Sequence, residues 1–556
     1  MPVIPFSRAG GERLTQGKVE DIFMRVGKVA DWVGRYPPSS VTKEIVFNAQ
    51  GRYWRIRIWA DKAGEIAEGK VDDASGKVTE AWTGPQVAWG MARGSPGAFG
   101  GTEINSLPVW LGFCAVFLIG LADFRRPLSL RNLDLVAFLS FSVSLWYFNH
   151  GRVFSSASLV YPPLLYLLCR LLYVGIRGRQ VAAGRPVWPI WLLAAATVFL
   201  VGFRIGLNVR TSNVIDVGYA GVIGADRIVS GVSPYGHFPV ETTPSGKALP
   251  ACGPADAEGH VRDHIQTNGR CESSNPDGDT YGPVAYLSYI PGLVFFGWSH
   301  KWDDLPAVHF TSILFDLLCI GGLVLVGRRF GGMRLAVTLA FAWAAYPFSQ
   351  YVSNSNTNDA IVPAFLIWGF WLVASPWARG TAVALSGWTK FGSLIVAPLW
   401  ASYPEAFRFG RVARFVTAFV LTTLAAFSIL AFEPSLTHAI ATFWNKTISR
   451  QLSRSSPFSI WDWRQYHAAG LPNLHLLQLA LVVVVAVMAI AAAFYPRRRS
   501  PLQLAALTGA LLVALELVLT YWFYTYIVWF FPFAAIALLA GGGAVAQTRR
   551  DAESTD

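Results

Sequence analysis

Charge is scarce in this chain. Of its 556 residues only 14% are Asp, Glu, Lys or Arg, where a soluble domain carries about 25%. A protein of this size with so few solvated groups is not a purely water-soluble globule. Other things are missing as well. There is no Walker loop, no glycine fingerprint of a dinucleotide fold and no H-E-x-x-H zinc pair. Cysteines number five and show no metal-ligand spacing. Cys114, Cys169 and Cys319 sit inside apolar runs and read as small packing residues. Cys252 and Cys271 share one polar loop, and two cysteines in a loop facing an oxidising compartment pair as a disulfide. The first 105 residues contain no apolar stretch resembling a signal peptide.

What the chain has is apolar length. Hydrophobic residues make up 53% of it. Long apolar runs recur at 107–122, 133–149, 157–176, 187–207, 306–327, 334–350, 359–375, 380–400, 413–432, 474–495, 502–520 and 525–543. Each matches a hydrocarbon core about 30 Å thick. The 22 tryptophans suit the interfacial belts of such a protein. The expected fold is an all-α polytopic membrane protein of about 12–13 crossings, carrying a small N-terminal α/β domain. The net charge of +12 does not point to nucleic acid, because the basic residues fall in short breaks between runs. These breaks, Arg125–Arg131, Arg177–Arg185, Arg328–Arg334, Arg408–Arg414, Arg497–Arg499 and Arg549–Arg550, are assigned to the cytoplasmic side, with residues 546–556 as a cytoplasmic tail. The loops 208–304 and 433–472 then face out from a bacterial plasma membrane. Consistent counting makes 281–298 dip into the outer leaflet and return. It makes 380–400 a hairpin of two half-helices around Lys390, and it places residues 1–105 outside.

Within residues 1–105, Val19–Val33 reads as one amphipathic helix. Tyr53–Trp59 alternates as a half-buried strand, Asp72–Gly76 is a turn, and Lys77–Trp82 is a second strand. The stretch WRIRIWADKAGEIAEGKVDDASGKVTEAW resembles PepSY-type domains, small extracytoplasmic accessory modules; a structural cap with no ligand is the equal alternative.

Candidate chemistry concentrates in the outer loops. Asp216 follows the run 187–207 closely, and a carboxylate near membrane depth is costly unless it is paired or functional. Residues 217–230 read as a helix, so capping it is the other role open to Asp216. Asp226, Asp277 and Asp279 are further carboxylates, the last two flanking Gly278 in what is also an ordinary turn. Lys390 lies among apolar residues and needs an anionic partner or water. Lys446, Arg450 and Arg454 recur every four residues and share one helical face, opposite an apolar stripe of Ile440, Trp444 and Ile448. That is an interfacial helix, suited to binding lipid head groups or a substrate phosphate. His438 and His467 are lone histidines, more simply surface or packing groups. Asn354, Asn356, Asn358 and Asp359 form a polar tip that could hydrogen-bond hydroxyl groups or serve loop turns.

Several of these segments occur in a telling order. An Asp directly after a span, a small-residue helix, the segment GVSPYG, the segment YGP entering an apolar hairpin, LSGWTKFGSLIVAPLW, FWNKTISRQLSRSSPFSIW and YWFYTYIVWFFPFAAIAL together resemble the C-type glycosyltransferase superfamily. The similarity is greatest to its polyprenol-phosphate-mannose-dependent mannosyltransferase-like branch and runs over residues 187–545. Residues 107–180 and the N-terminal domain depart from the usual architecture. The resemblance implies an enzyme that moves a sugar such as mannose or arabinose from a polyprenyl phosphate to a cell-envelope glycan or glycolipid, with inversion. It implies Asp216 as base, Lys390, Lys446, Arg450 and Arg454 on the donor phosphate, and Tyr219, Tyr235, Asp226, Asp279, Asn356 and His438 around the substrates. No cofactor is implied, and no divalent metal is indicated. Two rivals stay open: a lipid-sugar transporter or flippase, and a non-enzymatic scaffold or sensor.

Overall fold

The computed structural model describes residues 11–94, 97–178, 188–238, 266–267, 270–271, 278–299, 304–406 and 408–540. Cys252, Asp277 and the tail 546–556 lie outside these residues, so the expected disulfide and the tail do too.

The N-terminal region starts with two helices, Gln16–Met24 and Gly27–Val33, where the sequence pattern suggests one; the chain turns at Arg25–Val26. An antiparallel meander comes next: β1 Val41–Asn48, β2 Tyr53–Ala60, β3 Gly64–Asp72 and β4 Val78–Thr83, in the order β1-β2-β3-β4. Trp54, Ile56 and Ile58 of β2 are buried with Val19, Phe23 and Val29 of the helices, as alternation requires. Asp72–Gly76 is the expected turn, closed by Gly76 N–H on the Asp72 carbonyl at 2.9 Å and by Ser75 N–H on its carboxylate at 2.7 Å. β1 and β3 go beyond the expected strands. β1 is an edge strand whose Lys43 and Glu44 face solvent, and β3 carries charges between its apolar positions, so neither reads as an apolar alternation. The small region seats on the rest of the protein through aromatic contacts. Trp32 stacks on Phe154 with centroids 5.6 Å apart, and the Tyr36 hydroxyl donates to the Tyr466 carbonyl at 2.7 Å.

From Leu107 onward the described residues are mostly helical, and the protein is multi-pass. Among the described residues, six helices are long and apolar enough to cross a membrane: Val153–Arg177, Ile190–Thr211, Pro306–Ala345, Phe409–Phe432, His475–Phe494 and Pro501–Val518. Shorter apolar helical stretches occur at Leu107–Leu121, Pro283–Phe296, Phe391–Ala401 and Tyr524–Leu539. The two runs 306–327 and 334–350 emerge as one helical stretch that breaks at Gly332. Its φ of 71° is a conformation that favours glycine. The run 380–400 is the expected broken pair. Helix Pro376–Gly387 ends before Lys390, and the chain resumes as a 3₁₀ turn, Phe391–Val396, and a short helix, Ala397–Ala401. Residues 283–296 likewise form two short helices and not a span.

Residues beside three of the basic breaks meet among the described residues. Ala406 N–H donates to the Arg497 carbonyl at 2.8 Å, Arg498 lies 3.7 Å from Glu405, and Gln503 donates to the Gly175 carbonyl at 3.0 Å. The N-terminal region contacts Tyr466, in the loop 433–472 that the charge pattern assigns to the outer side.

Candidate functional site

Asp216 opens the helix Asp216–Val229. The N-cap residue is Ile215, in extended conformation, so Asp216 occupies the first helical position and is not the cap. A carboxylate there is favoured by the helix dipole. The chain before it is clamped. Asn213 N–H donates to the Asn354 carbonyl at 3.1 Å, and the Asn356 side chain donates to Ser212 Oγ at 2.9 Å and to the Asn213 carbonyl at 3.0 Å. Asn356 takes a left-handed conformation at the end of helix Pro347–Ser355, and its amide oxygen accepts from Asn208 at 3.0 Å. The expectation that Asn356 binds substrate therefore gives way to a different job. Its amide is consumed in holding the segment that presents Asp216.

The same helix lies flat on two tyrosines. A side chain at Gly221 or Gly224 would collide with the rings of Tyr289 and Tyr286 at 2.4 and 2.1 Å, so only glycine lets the helix settle there. Tyr235 is buried beside them, its hydroxyl donating to the Tyr281 carbonyl at 3.0 Å and its ring 5.0 Å from Phe443. Tyr235 thus forms part of a wall, through Tyr281. Tyr219 packs edge-on against Trp298 at 5.8 Å, one turn from Asp216.

Lys390 arrives from the break in the hairpin. Its backbone is extended (φ −141°, ψ 122°), between the end of one half-helix and the 3₁₀ turn. The break is pinned to the loop after Tyr281 by Val284 N–H on the Trp388 carbonyl at 3.1 Å. Lys390 Nζ donates to Asp359 Oδ1 at 2.6 Å, and Trp529 Nε1 donates to the same oxygen at 3.0 Å. The ammonium lies over the rings of Tyr281, Tyr526 and Trp529 at 5.7, 5.0 and 5.6 Å, a cation–π seat. Arg454 sits 3.8 Å over the Tyr521 ring. Asp216 is close enough to interact electrostatically with Lys390, Arg454, Tyr281 and Tyr521. Two carboxylates (Asp216 and Asp359), two cations and a ring of tyrosines, drawn from six separate stretches of chain, thus share one place.

Other expected residues lie elsewhere. Lys446, Arg450 and Arg454 do not lie on one continuous α-helix: Asn445–Ser449 form a π-helical turn, and helix Arg450–Ser453 ends before Arg454. Lys446 turns to Asp279 at 3.4 Å, Arg450 is exposed, and Arg454 falls past the helix end. Ile440 and Trp444 are exposed as an apolar outer face, while Phe443 and Thr447 face inward. Asp279 is fully buried. Oδ2 accepts from Gly236 N–H at 2.8 Å, whereas Oδ1 has no hydrogen-bond partner among the described residues. Burial pushes its carboxyl above the usual carboxylate range. Asp226 pairs with Arg227 at 3.7 Å, and its ten-residue offset along the helix puts it about 15 Å from Asp216. His438 is exposed at a helix start, with Thr442 as its side-chain neighbour at 3.5 Å.

Asp359 is the main site residue that the sequence alone does not single out. There it stands among the asparagines of the polar tip, and the demand of Lys390 for an anion is the signal that points to it. No group of three or more His, Cys, Asp or Glu side chains able to hold a metal occurs among the described residues.

No protein-family model matches this chain, and no curated protein matches it either. Among solved structures the chain is similar to ArnT from Cupriavidus metallidurans bound to undecaprenyl phosphate, at 18% identity and a TM-score of 0.36. The match covers 63% of this chain and 59% of that one, so it spans less than two-thirds of ArnT. So loose an overlap leaves the functional reading to the site itself.

Proposed function

We propose that this protein is a membrane glycosyltransferase that moves a sugar from a polyprenyl phosphate to a hydroxyl of a cell-envelope glycan or glycolipid. The observation that carries this reading is the meeting of Asp216 with Lys390 and Arg454 among tyrosines. The order of motifs from residue 187 to 545 adds to it. In the reaction the acceptor oxygen attacks the anomeric carbon while its proton passes to Asp216. The bond from that carbon to the donor phosphate oxygen breaks, and the leaving polyprenyl phosphate keeps the electron pair. Lys390 and Arg454 offset the charge gathering on it. In-line attack by the acceptor oxygen, opposite the departing phosphate, gives inversion. Asp216 and Arg454 belong to the loops 208–304 and 433–472, which the charge pattern assigns to the outer face, and this supports an extracytoplasmic site.

The test is transfer by purified protein in nanodiscs. Mannosyl and arabinosyl polyprenyl phosphates are offered with envelope lipids as acceptors, and nucleotide sugars serve as controls. Transfer from a lipid-linked donor, with the anomeric configuration inverted, is the expected result. Vectorial movement of the intact donor across a sealed bilayer, without transfer, would replace the enzyme by a flippase.

A further inference from the structure

The N-terminal region reaches the site. Beyond β4 the chain makes a short turn, Pro85–Ala88, and the next residue is Trp89. Its ring lies 6.5 Å from that of Tyr521 and 5.7 Å from that of Phe458, and Phe458 in turn meets Tyr521 edge-on at 6.0 Å. Tyr521 is the ring on which Arg454 rests. A little further on, Phe99 packs on Phe523 at 4.7 Å, and the Gly97 carbonyl accepts from the side chain of Asn213, three residues before Asp216. The sheet anchors this segment. Arg93 pairs with Glu68 of β3, donates to the Gln86 carbonyl at 2.7 Å and lies 5.1 Å over the Trp82 ring of β4. One piece of chain, held by the small sheet, therefore touches both the approach to the carboxylate and the aromatic seat of the arginine.

We propose that Trp89 is a positioning residue for phosphate binding. Through Phe458 and Tyr521 it fixes the ring that aims Arg454, so the N-terminal region completes the site and is more than a passive cap. This inference rests on the glycosyltransferase reading for the identity of the ligand, a polyprenyl phosphate, and on the contacts above for its mechanism.

The experiment measures binding of a sugar-free polyprenyl phosphate to the full chain in nanodiscs, together with donor KM and kcat. Trp89→Leu keeps apolar bulk and removes the aromatic face, so it is the variant that stays folded. It should weaken binding and raise donor KM about tenfold, close to what one cation–π seat is worth, and lower kcat as well, because Arg454 also offsets the charge on the leaving phosphate. Trp89→Phe should restore all three. Tyr521→Leu should match Trp89→Leu, and the double variant should be no worse than either single, because the two act along one path. Unchanged affinity in a folded Trp89→Leu, failure of Trp89→Phe to rescue, or losses that multiply in the double variant would each overturn the inference. A wild-type protein that neither binds the lipid nor transfers sugar would instead remove the reading beneath it.

Discussion

Two buried ion pairs in this protein are built from the same chemistry and differ in what they leave unused. Arg204 and Asp316 meet between the helices Ile190–Thr211 and Pro306–Ala345. Arg204 donates to both carboxylate oxygens, to the Ala344 carbonyl at 3.2 Å and to Ser349 Oγ at 3.1 Å, and Trp343 Nε1 adds a bond to Asp316 at 2.8 Å. Planar donors and planar acceptors are matched, and this pair is a staple between helices. Lys390 and Asp359 share one short bond, and the rest of the ammonium faces the rings of Tyr281, Tyr526 and Trp529. Arg454 beside them rests on the ring of Tyr521. A cation seated on aromatic faces keeps donors for a phosphate, whereas a cation saturated by carbonyls and a carboxylate does not.

The largest loss is expected at Asp216, the carboxylate that the aromatic-seated cations surround. Asp216→Asn keeps size and hydrogen bonding but cannot take a proton, so kcat should fall about 10³-fold while donor binding and thermal stability stay near wild type. Retention of activity in the folded variant would move the base elsewhere.

Removing each ion pair without stranding a charge separates the two. The double variant Lys390→Met/Asp359→Leu leaves no buried ion and should fold, yet transfer should fall about 100-fold or more because the leaving phosphate loses a preorganised cation. In contrast, Arg204→Met alone should cost about 3–5 kcal/mol by leaving Asp316 unpaired, and Arg204→Met/Asp316→Leu should recover most of it. Its transfer rate should remain within about twofold of wild type. Melting temperatures and single-turnover rates on the four proteins decide the matter. Equal losses of transfer in both doubles would erase the distinction between staple and site.

How much of this is legible in the sequence depends on the range of the forces involved. The apolar runs, the break at Lys390 and the helix after Asp216 rest on local composition, and each is present in the fold. The demand of Lys390 for an anion is legible too, but its partner Asp359 lies 31 residues away in the chain, and only the packing of the hairpin selects it from a row of polar neighbours. Asn356 shows the same limit from the other side: a polar tip reads alike whether its amides bind a ligand or the backbone of the next loop. The cations at 446, 450 and 454 are spaced for one face of an α-helix, but the helix ends before Arg454, which joins the site from extended chain. In the N-terminal region, β1 and β3 are strands by pairing with β2, a tertiary cause that alternation alone does not disclose.

Asp279 gives the smallest and sharpest test, because it stands between the two kinds of pair. One of its oxygens is held by Gly236 N–H and lies 3.4 Å from Lys446, and the other is buried without a hydrogen-bond partner among the described residues. Burial raises its carboxyl, so the folded protein holds that proton more tightly than the unfolded chain does. The stability this contributes is fully present below the ordinary carboxylate value of about 4 and is lost as pH rises through the raised value. Asparagine at this position has no charge to bury. The melting temperature of Asp279→Asn relative to wild type should therefore climb as pH goes from about 4 toward neutrality. A difference that stays constant over that range would mean that Lys446 fully compensates the ionised carboxylate, and Asp279 would then belong with the saturated pairs.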